Sequence, residues 1–186
     1  IALALVLRVG SALLIRTDVA LANVDPGFDA NNVLTMRMSL TGARWASTAA
    51  VAAGVRDGIQ RLQAIPGVEV ASATCCVPLQ GGYGLPFDIQ GRAFANGATH
   101  TGGASWQTVS PGYFEVFRIP ATRGRTFTDQ DGAGSTPVVI INEAMAKQYW
   151  PKENPIGAQI LIGKNVMKQF DNDPIRQVIG VVGDSR

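Results

Sequence analysis

TPVVIINEAMAKQYWPKENPIGAQI, residues 136–160, carries the signals that decide the fold class. Val138–Ile141 is an unbroken apolar run of β-branched residues, the pattern of a strand covered on both faces rather than one with a wet side. Asn142 stands at a helix N-cap, where its side-chain oxygen can accept an orphan backbone N–H. Glu143 then places negative charge at the positive end of the helix dipole. Met145 and Tyr149 lie one turn apart and face the same way. The helix has to stop near Trp150, because Pro151 lacks an N–H and clashes with the preceding turn. Pro155-Ile156-Gly157 makes a second break. Ala158, Ile160 and Ile162 then alternate with Gln159 and Leu161 as a strand. Strand, capped helix, turn and strand form half of an α/β layer, with no polar side chain evidently committed to chemistry.

The composition describes an ordinary globular chain with an apolar leading segment. Of 186 residues, 46% are hydrophobic and 16% charged, and the formal net charge is +2. That is enough length for one large domain or two small lobes. Lys/Arg runs are absent, which removes the electrostatic footprint of a nucleic-acid partner. The two cysteines, Cys75 and Cys76, are adjacent. They cannot form an ordinary staple with each other, lack zinc spacing and lack C-x-x-C spacing, so they read as small buried residues at a strand end.

Ile1–Ile15 is almost wholly apolar, with Arg8 in its middle. A membrane span needs about 20 such residues, so the run is either too short to span or begins before this sequence, and the outer end of a membrane helix is the expectation preferred. The start at Ile1 agrees with that expectation. A signal peptide would need a positive leading region and a small-x-small closing site, and neither is present. A buried amphipathic helix is the competing reading, favoured by Arg8, since a mid-bilayer arginine costs at least about 2.5 kcal/mol. Through Ile15, Val19 and Ala22 the helix is expected to continue as a stalk, ending in the Val24-Asp25-Pro26-Gly27 turn. Val33–Leu40 alternates cleanly, with Leu34, Met36, Met38 and Leu40 on one face, and reads as a half-buried strand. Ser47 or Thr48 opens a helix with Val51, Val55, Ile59 and Leu62 at helical spacing, ended by Pro66-Gly67. Val68–Thr74 is the next expected strand, completing a β-α-β unit. Phe87–Gln90, Ala104–Val109 and Gln177–Val182 read as further strands, the last of them central. Tyr113–Phe117 reads as a short helical turn after Ser110-Pro111-Gly112.

No recognisable catalytic, cofactor or metal constellation emerges. Gly81-Gly82-Tyr83-Gly84 follows a strand but has neither phosphate-loop spacing, and Pro86 stands where a helix would begin; a connector is the simpler reading. His100, the one histidine, has no carboxylate pattern beside it and reads as solvated. Arg118, Arg123 and Arg125 form a small basic group, either a phosphate or lipid-headgroup contact or, as preferred here, a solvated strand edge. Asp129-Gln130-Asp131-Gly132 imitates the start of a calcium loop without its full spacing or closing Glu. An enzyme is therefore not expected, and no residue is assigned a catalytic, cofactor-binding or metal-binding role. No Walker A lysine motif is present, so the chain is not itself an ATP-hydrolysing subunit.

VVIINEAMAKQYWP followed by NPIGAQI resembles the extracytoplasmic core domain of MacB/FtsX-type ABC transporter permeases, more specifically the duplicated orphan permease branch of acidobacteria and related bacteria. VDPGF at 24–28, NVLT at 32–35, IPGV at 65–68, VSPGYF at 109–114, RGRTFTDQD at 123–131 and VIGVVGDSR at 178–186 fit in order. Arg8 departs from the family, where that position is usually apolar. The resemblance implies an α+β fold: a mixed-sheet, two-lobed extracytoplasmic domain, with a porter-like β-α-β lobe plus a second lobe, preceded by a membrane or stalk helix. Residues 1–23 are then the end of a transmembrane helix and its stalk. Residues 24–186 are the MacB-like periplasmic core domain, continuing beyond Arg186 on its C-terminal side. The closest likeness is to the second permease unit of the duplicated proteins.

The implied role is non-catalytic mechanotransmission, in which ATP-driven movement of membrane helices is passed to the domain and drives export or release of a substrate outside the membrane. The implied partners are a separate ABC-type ATPase subunit, a second permease domain or copy, a periplasmic adaptor protein, and membrane lipid through residues 1–15, with no nucleic acid. The implied location is the bacterial cytoplasmic (inner) membrane with the domain facing the periplasm. The alternative is a periplasmic binding or adaptor module without a transport role. Sequence beyond Arg186 would discriminate, with apolar spans for the permease and a polar stop for the adaptor.

Overall fold

The computed structural model describes residues 2–22, 24–94, 97–166, 168–170 and 172–185. Helices are α1 (Ala2–Ala22), α2 (Thr48–Gln63), α3 (Tyr113–Val116) and α4 (Glu143–Tyr149). Strands are β1 (Tyr83–Ile89), β2 (Gly102–Trp106), β3 (Ala121–Gly124), β4 (Val138–Asn142), β5 (Gln159–Ile162) and β6 (Arg176–Val182). The fold is α+β, built on one mixed sheet in the order β2-β1-β5-β6-β3, with β4 also paired to β6. Among the described residues, only the β4–β6 pair is parallel.

β6 is the hub. Its first residues pair antiparallel with β5, its last with β3, and β4 runs parallel along it. Its apolar run explains this position, since a strand flanked and covered everywhere cannot expose polar side chains. Val178 is 0% exposed, and Val181 and Val182 are buried. Each such side chain contributes about 1.5–3 kcal/mol on leaving water. Two clusters flank the sheet. One gathers Phe87, Ile89, Val139, Ile141, Ile160, Ile162, Val178 and Val181 beneath Ala146 and Trp150 of the α4 segment. The other gathers Tyr113, Phe117, Ile119 and Val182, with Ile140 packed against it. Val139 and Ile141 thus face one cluster and Ile140 the other, so the four-residue apolar run is covered on both sides as its composition predicts. Close approach at β3–β6 needs glycine: a Cβ on Gly124 would lie 2.1 Å from the Ile179 carbonyl oxygen, at φ +69°.

α4 forms as its sequence dictates. Asn142 Oδ1 accepts the Met145 N–H at 3.1 Å, and Lys147 bonds Glu143 one turn back at 2.8 Å. The helix ends at Tyr149, before Pro151. Beyond it, Arg92 stacks on the Trp150 ring at 5.0 Å and donates to the Tyr149 carbonyl and to Glu153, tying the end of β1 to the end of α4.

Four expectations change. Val33–Leu40 is extended but belongs to no strand, and Leu34, Met36 and Met38 are exposed, Leu34 by 87%. The alternation is real, but among the described residues no neighbouring strand lies alongside to accept it, and an unpaired strand gains nothing from its own backbone. Val68–Thr74 likewise forms only an isolated bridge, Thr74 to Val109. Between them, α2 starts at the Ser47 cap, whose Oγ accepts the Ala50 N–H, yet none of its residues is fully buried. The β-α-β unit is thus present as a sequence of segments without a ladder. Next, β1 begins at Tyr83, before the expected Phe87, and runs through Gly84 and Pro86. Pro86 is tolerated because the pairing with β5 covers only Phe87–Ile89. Last, β2 ends at Trp106, short of the expected Val109.

Candidate functional site

α1 runs as a single helix over Ala2–Ala22, and its described apolar side chains stand clear of the body: Val6, Leu7, Val9, Leu13, Leu14, Ile15 and Val19 are exposed, Leu14 by 73%. Ile1 and Asn23, included in the expected stalk, lie outside the described residues. Among the described residues no helix is long and apolar enough to cross a membrane. Arg8, Arg16 and Asp18 interrupt α1 in a way that a bilayer core penalises.

The turn that follows α1 is fastened to the body by a set of contacts that sequence spacing does not reveal. Asp25 Oδ1 accepts the Gly27 N–H at 2.9 Å. Gly27, at φ +78°, lies so close to the end of β6 that a Cβ would fall 1.8 Å from the Asp184 carbonyl oxygen. The Asp184 side chain reaches the other way, and its Oδ1 accepts the Ala144 N–H in the first turn of α4 at 2.8 Å. Phe28 packs edge-on against Phe117, centroids 6.0 Å apart. Asp29 donates its N–H to the Phe117 carbonyl at 2.9 Å, and its carboxylate pairs with Arg118. The Asn31 backbone N–H and then Arg118 hold the Asp29 carboxyl below the usual carboxylate range. The turn after α1, the residues just beyond the hub strand and the start of α4 therefore meet at one joint, Gly27–Asp184–Ala144, with a second tether from Asp29 to the Phe117–Arg118 corner.

The polar groups weighed from sequence come to rest elsewhere. His100 is not solvated: its Nδ1 lies 3.3 Å from both Asp88 carboxylate oxygens, and both side chains are largely covered. Asp88 Oδ1 also accepts the Thr101 N–H at 3.1 Å. The partner sits twelve positions upstream, across the β1–β2 connection. Only knowledge of the strand pairing would have supplied it. The three arginines do not converge on one spot. Arg118 is committed to Asp29, and Arg125 forms a two-pronged pair with Asp131 at 2.6 and 2.7 Å. Arg123 stays exposed on β3. The calcium-like Asp129–Gly132 run is explained by the same pair: Asp131, its side chain 7% exposed, takes Arg125 and the Thr128 N–H and hydroxyl as partners. The Arg125 hydrogen bond, above all, holds the Asp131 carboxyl well below the usual carboxylate range. The Gly81–Gly84 segment leads into β1 without a following helix. Cys75, expected to be buried, is exposed. Among the described residues no group of three or more His, Cys, Asp or Glu side chains gathers.

Residues 7–186 match the family model of the MacB-like periplasmic core domain. Among curated relatives, the chain is 34% identical over 74 residues to the macrolide export ATP-binding/permease protein MacB of Aggregatibacter actinomycetemcomitans, 40% of this chain and 10% of that protein. It is 37% identical over 54 residues to the uncharacterized ABC transporter permease YknZ of Bacillus subtilis, 29% of this chain and 14% of that one. The chain thus spans only a small part of the length of these relatives. Of solved structures, the periplasmic region of MacB from Actinobacillus actinomycetemcomitans superposes with a TM-score of 0.48 at 21% identity, over 70% of this chain and 50% of that one.

Proposed function

Because the chain belongs to the MacB-like periplasmic core domain family, we propose that it is the non-catalytic extracytoplasmic domain of an ABC transporter permease, anchored in the bacterial inner membrane with its body on the periplasmic side. Movement of membrane helices, driven by ATP hydrolysis in a separate ABC-type ATPase subunit, is passed up α1 and through the joint into the sheet. Export or release of a substrate outside the membrane follows, with a second permease domain or copy opposite and a periplasmic adaptor as a further partner. The observation that carries this reading is the fastening of an exposed apolar helix to the hub strand by Gly27 against Asp184. A helix whose exit turn lies against Asp184, which in turn bonds the start of α4, can displace the sheet as a unit, with no side chain doing covalent work. Residues 1–15 meet lipid, with Arg8 reaching toward headgroups or neighbouring helices.

The test is a flexible Gly-Ser insertion between Val24 and Asp25 in the membrane-embedded permease with its ATPase. Nucleotide hydrolysis should persist while substrate export falls to background. Export that survives the insertion would end the lever reading. An adaptor module without a transport role is favoured by one observation, the unpaired apolar stretch Val33–Leu40, which offers a strand edge to another protein. That reading requires export-independent capture of a partner by the domain alone, abolished by proline at Thr35 or Arg37.

A further inference from the structure

Of the four methionines in the chain, Met36 and Met38 sit two residues apart. Val33–Leu40 is extended, so side chains two apart share a face, about 6.6 Å from each other along the chain. Both thioethers are in solvent, Met36 66% and Met38 62% exposed, with Leu34 in the same row and Arg37 on the opposite face. Met145 is the contrast: it is half-buried on α4 and packs against the sheet cluster. Met167 lies outside the described residues. The backbone around the exposed pair is equally open. Among the described residues, no backbone–backbone hydrogen bond involves residues 34–40. A methionine on a solvent face gains nothing from burial, and what its sulfur adds over leucine is reactivity.

We infer that Met36 and Met38 form a reversible oxidation site for small oxygen-atom donors of the hypochlorous acid class, one that turns the apolar row of this stretch polar. In the step, a lone pair on the thioether sulfur attacks the oxygen of HOCl and the O–Cl bond breaks. An S–O bond forms, chloride leaves with the electrons of the broken bond, and the hydroxyl proton goes to solvent. The sulfur is oxidised by two electrons and the chlorine reduced by two. A thioether has no proton to lose, so access rather than a thiolate fraction sorts the methionines. Packing shields Met145, whereas Met36 and Met38 meet the oxidant openly. The same geometry permits the return. A methionine sulfoxide reductase has to take the side chain into its own site, and a stretch outside any ladder can be lifted without breaking a strand pair. The sulfoxide is polar, so oxidation silences the edge that the adaptor reading offers to another protein, and reduction restores it. The oxidation site itself rests on neither functional reading.

The test adds hypochlorous acid in steps to the purified chain, its thiols first alkylated because the exposed Cys75 competes. Peptide mass mapping should place the added oxygens on Met36 and Met38 before Met145 takes any. Circular dichroism and the denaturant midpoint should not move, since no packing is lost. Fluorescence of a bound apolar dye should fall, because exposed apolar surface has been lost. The two epimer-specific methionine sulfoxide reductases together, with dithiothreitol, should then remove both oxygens from the folded chain and restore the dye signal. Met36→Leu/Met38→Leu should keep its dye signal through the same treatment. Oxidation of Met145 at the same rate, a lowered midpoint, or repair only after unfolding would overturn the site. So would a dye signal that ignores oxidation or falls equally in the leucine variant.

Discussion

Val33–Leu40, which alternates, and Arg176–Val182, which is apolar almost throughout, both carry strand patterns, and they end in opposite conditions. β6 has β3, β4 and β5 as neighbours and a cluster on each face, whereas Val33–Leu40 lies extended with Leu34, Met36 and Met38 in solvent. The same division runs through the molecule. From Tyr83 to Asp184 the chain is stitched into one sheet; before it lie an exposed helix, an unpaired strand and a helix with no fully buried residue. Pattern makes a segment able to form a strand, and a neighbour makes it one. On the proposed lever reading, the sheet half is the body and α1 its handle.

The sharpest way to break this contrast is to make matched truncations in the two halves. Ile160→Ala, at one of the most buried side chains, should cost about 2–5 kcal/mol in denaturant unfolding. Met36→Ala should stay within about 0.5 kcal/mol of wild type. Equal costs would show that the leading stretch is packed after all. The joint ranks next. Gly27→Ala forces a Cβ into the Asp184 carbonyl at a left-handed φ and should cost about 1–3 kcal/mol. Asp184→Asn keeps an acceptor for the Ala144 N–H, so it should cost less than Asp184→Ala, whose loss of that cap is worth about 0.5–2 kcal/mol.

Much of the sheet half was legible because its signals are local. Asn142, Glu143 and Pro151 bound α4, and the Val138–Ile141 run announces a strand covered on both faces. The joint was not legible, because Gly27 and Asp184 are distant in sequence and Gly27 looks like any turn glycine. His100 was misread for the same reason: its carboxylate arrives through strand pairing. The acidic Asp129–Asp131 run carried no sign of Arg125 as its partner, since two exposed-looking polar residues six apart imply no contact by themselves. The β-α-β unit was overread, because alternation was taken as sufficient for a ladder.

Two pH dependences sharpen the comparison further, both inside the sheet half. Asp131 has its carboxyl lowered by Arg125, so it adds stability that is present above the ordinary carboxylate range and lost as pH falls through its folded value. Asp131→Asn should flatten the acid limb of the stability profile, and an unchanged limb would show the pair contributes nothing. Tyr113 is pushed up to about 12, first by burial and then by the charge of Cys75 and Cys76. Unfolding frees it to ionise near its ordinary value, so stability should decline as pH rises from about 10 towards about 12. Tyr113→Phe should remove that slope, the smallest of these effects.

The lever reading is tested most directly by spin-label distances between Leu14 on α1 and Lys147 on α4 in the membrane-embedded permease with its ATPase. A stiff handle gives one narrow distance that is the same with and without nucleotide, while the separation between the α1 helices of paired units changes with nucleotide. A broad or nucleotide-dependent Leu14–Lys147 distance would contradict it, for the helix would then be swivelling on the body instead of carrying it.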